Sequence, residues 1–547
     1  MSYCTKCGKE VEAGRVMCKE CIDAYNANIG VKVEHLPGTK RDGIFAIILF
    51  GIAALFIDCL IFAGFGIGVS LSLILLTVIA AIYLKNDKGF SLYALLTAIF
   101  ALVSSVAITI SNDSLTVFLS FALTLLLYTV MIFEVADRRR GVKGTVLSSI
   151  KMVYDALNGF FCNMGQGAYA IFKAKEDNGE EKKRKITMVL LGLGLAIPII
   201  VIVVPLLVSS DAAFEGLLKQ INGKTVWEII VVAVLSFVLL LMLFGQLFAL
   251  KNHKTKEDKK SEFKGIDNTI LISFLSVISI IYLFYLLSQL SYFFDGFMGI
   301  LPIEYTAAEY ARRGFFEMCI VAAINLVLVT VCSAISKKSD KGMPVILKVL
   351  STFLAVFSLV LDSTAIAKMI TYVKLYGFTR LRLFTTVFMV FCAILFIVAI
   401  LKVYINNLKY MKTVLVVGAT LVLALTFFNV DGFISNYNVN AYLKEDLKTV
   451  DINAINELPT LSKVDGLITL AQKANDAAVA EEARCTLKAI ANKHTKIIEG
   501  EIVSLRDSDF RSFNLYDQLA FTRLRDNYQL FRFSDPNYYS DYSSTSY

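Results

Sequence analysis

Eleven stretches of this chain run for about twenty residues with almost no charge, and that limits its fold more than any other feature. A helix needs about 20 apolar residues to cross roughly 30 Å of hydrocarbon, and a backbone in lipid must satisfy its own hydrogen bonds. Each stretch therefore reads as a membrane-spanning helix. The expected spans are about 44–63, 67–84, 90–110, 114–133, 187–208, 226–249, 267–291, 314–335, 345–367, 383–402 and 412–429. A tight glycine-rich turn, "AGFGIG", joins the first two. Only 18% of residues are charged and 56% are hydrophobic, which excludes a soluble chain of this length. The net charge of +8 is then a matter of topology, and no nucleic-acid partner is expected.

The basic residues test the count. With the amino terminus inside, the inside loops hold 26 lysines and arginines and the outside loops hold 8. Basic residues favour the cytoplasmic side, so the bias supports both register and orientation. It places the amino terminus in the cytoplasm of a bacterial cell and the last 118 residues outside. Residues 1–42 carry no apolar core of signal-peptide length, so the first run should act as an uncleaved signal-anchor.

Ahead of the first run lies "MSYCTKCGKEVEAGRVMCKEC", with Cys4, Cys7, Cys18 and Cys21 in two Cys-x-x-Cys pairs. Four thiolates at this spacing favour a tetrahedral, closed, structural Zn2+ site. A segment of this size needs such a staple to fold. A cytoplasmic position keeps the thiols reduced. We expect a zinc ribbon over 1–25, a linker over 26–43, a membrane domain over 44–429, and a protein partner docking on the ribbon.

Two parts of the chain are not spans. In the inside loop 134–186, Val146, Leu147, Ile150, Val153, Leu157, Phe160 and Phe161 fall on one helical face behind the run Arg138–Arg140. That face suits the cytoplasmic leaflet or the side of the bundle. Residues 430–533 have helical composition and read as an outer α-helical domain of three or four helices, ending in a disordered serine- and tyrosine-rich tail over 534–547. The fold class is an all-α integral membrane protein with about eleven spans, a small zinc ribbon and an outer helical domain.

Five stretches carry a family likeness: "SSDAAF" (209–214), "EYARRGFFE" (309–317), "YVKLYGFTRLRLF" (372–384), "NVDGFISNYNV" (429–439) and "DFRSFN" (509–514). Together they resemble the bacterial membrane proteins grouped as domain of unknown function 4173. The resemblance runs from about 44 to 530 and implies a polytopic fold with no assigned activity. The stretch "STAIAKM" (363–369) departs from that pattern, and its Lys368 keeps the charge of the family's arginine without the bidentate fork.

Charge in a span is costly and marks candidate sites. Glu309, Arg313 and Glu317 share a helical stripe, with Arg312 beside it. Lys368, Lys374, Arg380 and Arg382 flank the ninth and tenth spans on the same outer side. Brought together, they would form a basic pocket for an anionic lipid headgroup or an acidic peptide. The alternative is interfacial anchoring by snorkelling side chains. Asp58, Asn325 and Asp362 stand isolated within spans, as ion ligands or as interhelical hydrogen-bonding groups. No phosphate loop, metalloprotease helix or nucleophile elbow is present, which argues against an enzyme. Three roles remain: an envelope sensor, regulator or scaffold; a transporter of a small solute or ion; and, weakest, a membrane-embedded transferase.

Overall fold

The computed structural model describes residues 2–3, 10–11, 36–85, 89–136, 146–172, 203, 206–207, 209–210, 223–252, 265–298, 315–337, 343–405, 408–506 and 509–535. Among them, ten helices are long and apolar enough to cross a membrane. These are α1 (Lys40–Asp58, extended by a π-helical turn over Cys59–Ala63), α2 (Ile67–Leu84), α3 (Leu92–Ile110) and α4 (Ser114–Val135). Two shorter helices, α5 (Val146–Cys162) and α6 (Met164–Phe172), precede α7 (Gly223–Asn252). Then come α8 (Asn268–Met298), α9 (Phe315–Ile335), α10 (Val345–Tyr376), α11 (Arg380–Tyr404) and α12 (Tyr410–Phe427). Ten of the eleven expected runs thus correspond to helices; the other, 187–208, lies almost wholly outside the described residues. The chain is a multi-pass membrane protein.

The spans form two groups. Helices α1 to α4 pack together with α7, and α8 to α11 pack together; α12 touches α3 and α4 on one side and α11 on the other. Buried serines knit neighbours in the first group: Ser70 donates to the Ser105 carbonyl (2.6 Å) and Ser104 to that of Ser120 (2.9 Å). At one end of the bundle Asp42 accepts from Tyr83 (2.8 Å) and pairs with Lys251 (3.5 Å), while Lys412 pairs with Glu134 (2.8 Å). Helices α4 and α7 both finish at this end.

Helix α5 packs on the bundle, though mostly not through the apolar face the spacing picks out. Met152 and Ala156 are buried against the first group of spans, and Gln246 donates to the Ala156 carbonyl (3.2 Å). Ile150, Val153, Leu157 and Phe161 on its other side remain exposed. Helix α6 follows it onto α7 through a glycine contact. A Cβ at Gly167 would meet the Gly245 Cα at 2.9 Å, and one at Gly245 would overlap the Asn163 carbonyl. Small residues let backbones approach this closely. Gly245→Val should therefore lift α6 from α7 at a cost of about 1–3 kcal/mol, seen as a lowered melting midpoint and faster proteolysis across 146–172.

Residues 430–535 pack at the other end of the bundle and are called the carboxyl-terminal domain for brevity. Its helices are α13 (Val430–Leu443), α14 (Ile452–Asn456), α15 (Val464–Lys473), α16 (Ala477–His494), α17 (Leu515–Asp526) and α18 (Tyr528–Phe531). The expectation of a wholly helical domain fails at 495–505. There β3 (Thr495–Ile498) and β4 (Glu501–Leu505) pair antiparallel. Glu499 and Gly500 both take positive φ, 51° and 80°, the two-residue turn that matches strand twist, and β-branched residues flank it. A second hairpin pairs β1 (Ser2–Tyr3) with β2 (Glu10–Val11). The domain's core is continuous with the span ends, since Leu383 of α11 is buried within it and Leu425 of α12 packs against it.

Candidate functional site

Three of the stretches that carried the family likeness meet where the bundle joins the carboxyl-terminal domain. The chain leaves α10 through Gly377, at φ 72°, where a Cβ would overlap the Asn438 amide. Asn438 accepts from the Phe378 N–H (2.7 Å) and donates to the Phe378 carbonyl (2.8 Å), fastening this turn to α13. Thr379 then caps α11. The turn aims the Arg380 guanidinium at two carboxylates. One nitrogen donates to Asp431 (2.7 Å) and the other to Asp113. Asp113 caps α4 by accepting from the Thr116 N–H (3.0 Å), and Asp431 accepts from the Thr460 N–H (3.1 Å). The two carboxylate side chains are 5% and 1% exposed, so they are held out of solvent, while the Arg380 side chain is 23% exposed. Beside it lies a cavity of about 10 Å³, lined by Ser111, Asn429 and Thr460 among others. The Thr460 hydroxyl has no hydrogen-bond partner among the described residues, and the space fits about one water.

A second attachment comes from "DFRSFN". Arg511 donates to Asp58 (2.6 Å) and to Asp509 (2.7 Å). The hydrogen bonds from Arg511 hold the Asp509 carboxyl below the usual carboxylate range. Ser512 sits so close to Gly66 that a Cβ there would come within 2.6 Å of its backbone, and the Ile67 N–H donates to the Phe513 carbonyl (3.2 Å). A third attachment pairs Asn112 with Asp517 (2.6 Å) and the Tyr516 hydroxyl with the Phe427 carbonyl (2.8 Å). Burial pushes the Asp517 carboxyl up.

The predicted site residues separate. Arg380 is neutralised by two aspartates and is not a free anion ligand. Arg382 donates to the carbonyls of Tyr376 (3.0 Å) and Gly377 (2.6 Å) and lies over the Tyr372 ring. Lys374 and Glu317 are exposed, and Lys368 is half-buried. Glu309, Arg312 and Arg313 lie outside the described residues, as do Cys4, Cys7, Cys18 and Cys21. The described residues thus bring no basic pocket together. Asp58, expected to be isolated within a span, lies in the first span, five residues before its end, but in an ion pair with Arg511. Asn325 donates to Ser358 (2.9 Å) and accepts from Tyr282 (2.9 Å), an interhelical bond of the ordinary kind. Asp362 is fully buried, and neither oxygen has a hydrogen-bond partner among the described residues.

Asp113, Asp431 and Arg511 escaped the sequence reading. Asp113 carried a signal, standing as a helix cap directly before an apolar run. Asp431 and Arg511 lay inside quoted motifs. Among the described residues, no group of three or more His, Cys, Asp or Glu side chains is placed to hold a metal ion.

A family model described as a domain of unknown function (DUF4153) matches residues 71–463, well over half of the chain. The match takes in Asp113, Asp362, Arg380 and Asp431 and stops short of Arg511. It is a different family from the 4173 group that the motifs resemble. No curated protein and no solved structure matches the chain.

Proposed function

We propose for this chain, which belongs to the DUF4153 family, the role of a sensor, regulator or scaffold in a bacterial cell membrane. The observation that carries the reading is the three-point attachment of the carboxyl-terminal domain. Arg511 ties the domain to α1, Asn112 and Arg380 tie it to the α3–α4 and α10–α11 turns, and its core runs into α11 and α12. A ligand or load on such a domain acts directly on several spans, as a loosely tethered domain would not. In this reading the domain is extracytoplasmic and the cysteine clip cytoplasmic, as the basic-residue bias favours. The clip is a zinc ribbon that docks a protein partner. The pairing of β1 with β2 supports it, because the two strands flank residues 4–9, which include Cys4 and Cys7. Zinc would serve there as a structural ion.

The test is in-cell crosslinking and co-purification of the wild type beside a Cys4/Cys7/Cys18/Cys21→Ser variant, with zinc counted in both. We expect about one zinc per wild-type chain, none in the variant, and a partner captured only by the wild type. Equal capture by both would reduce the clip to a stabilising cap and remove the regulator reading. A second reading, a carrier of a small solute or ion, is favoured by Asp362, a fully buried carboxyl group with no hydrogen-bond partner among the described residues.

A further inference from the structure

Ser351, Ala355, Ser358, Asp362 and Ala365 recur on α10 at steps of four, three, four and three, and none has measurable exposure. They form one stripe, buried where α10 packs on α8, α9 and α11. Ser358 is satisfied, accepting from Asn325 and donating to the Leu354 carbonyl (2.9 Å). One turn further on, Asp362 is not satisfied.

Among the described residues, the groups that face it supply no cation and no hydrogen bond; the nearest donors are weak thiols. From α9 comes Cys319, whose thiol donates to the Met389 sulfur (3.2 Å). From α11 comes Cys392, which is buried. From α8, Tyr282 and Tyr285 pack on Phe357, five residues before Asp362, and the Tyr282 hydroxyl is committed to Asn325. Lys368 lies on α10 itself but about 120° around the helix and more than one turn along from Asp362. Arg380 and Arg382 are engaged at the far end. The other carboxylates buried within spans among the described residues, Asp42 and Glu134, each have a lysine.

A bare carboxylate in this surrounding would lose its hydration with nothing in return. A group that never ionised would do no more than an asparagine does; what a carboxyl adds is a proton that can leave. The geometry points to Asp362 as an intramembrane proton-binding site, occupied by a proton in this conformation and able to release it when the packing of α8 to α11 opens. The ligand is a proton rather than a metal ion, since one carboxyl among thiols, a thioether and hydrocarbon offers no oxygen cage. This inference does not depend on the zinc clip or on the attached domain.

The test uses the full chain in lipid nanodiscs, treated at neutral pH with the membrane-soluble reagent dicyclohexylcarbodiimide. A protonated carboxyl adds across its C=N bond: the proton goes to nitrogen, the carboxyl oxygen to carbon, and an acyl shift leaves a stable N-acylurea. We expect the adduct on Asp362, at least about tenfold above Asp42 and Glu134, and absent in Asp362→Asn. A labelling yield on Asp362 no higher than on its lysine-paired counterparts would overturn the proposal. Infrared spectroscopy decides the case where the reagent fails to enter. A carboxylic-acid C=O band present in the wild type and lost in Asp362→Asn supports the site. A wild-type spectrum without that band, in protein of native gel-filtration profile, sinks it.

Discussion

Arg380→Met should loosen the carboxyl-terminal domain from the bundle and lower stability by about 3–5 kcal/mol. Among the described residues the guanidinium is the cation that pairs directly with both Asp113 and Asp431, whose side chains are 5% and 1% exposed. Removing it leaves two buried carboxylates about as close to each other as one arginine can span. The methionine fills the space but supplies neither charge nor donors. Arg380→Lys should recover only part of the loss, because a lysine is a point charge and cannot fork between two acceptors. Neutralising the aspartates as well, in Arg380→Met/Asp113→Asn/Asp431→Asn, should restore stability toward wild type, since the penalty comes from unpaired charge rather than from lost packing. Thermal unfolding in detergent, with protease mapping of residues 430–535, measures all three. Wild-type stability in Arg380→Met alone would show that the ion cluster is a surface ornament and remove the main support for coupling between domain and spans.

Phe531→Ala should be comparably severe but distinct in kind. Phe531 is fully buried and meets Tyr528 edge to face at 5.5 Å. Lys488 donates to the Tyr528 hydroxyl (2.7 Å), so the last helix is pinned to α16 through this pair. Truncating a buried phenylalanine costs about 3–5 kcal/mol. The ion cluster at Arg380 is untouched, so the domain should unravel from its carboxyl-terminal end while residues near Asp431 stay protected. Hydrogen exchange resolves the two patterns: a gradient starting at α18 for Phe531→Ala, and early exchange at the α10–α11 turn for Arg380→Met. Uniform exchange across 430–535 in both would mean that the domain unfolds as a single unit with the span ends.

The spans were legible because a membrane helix is written in one dimension: about twenty apolar residues, bounded by charge. The attachments were not, because their partners are far apart in sequence. Arg380 and Asp113 are separated by 267 positions, and Arg511 and Asp58 by 453. Read alone, Arg380 and Asp58 each looked like an unpaired charge, one inviting an anion and the other a cation. The β3–β4 hairpin was missed because it follows directly on the alanine-rich α16, whose helical composition swamped the Glu-Gly turn. The amphipathic face of α5 was visible, but sequence could not say that Met152 and Ala156 would turn to the bundle while Ile150 and Leu157 turned away.

The two groups of spans are fastened unequally at their two ends. At the domain end, Arg380, which begins a helix of one group, grips Asp113, which begins a helix of the other, and Asp431 closes the triangle. At the opposite end, α5 lies between the groups, touching α4, α7, α9 and α12, and Lys412 of α12 pairs with Glu134 of α4. Among the described residues no single helix belongs to both groups, so the triangle is where one side chain from each meets. Any relative motion of the two groups that leaves the triangle intact would be a rocking about the domain end, with the widest excursion at the Asp42 end.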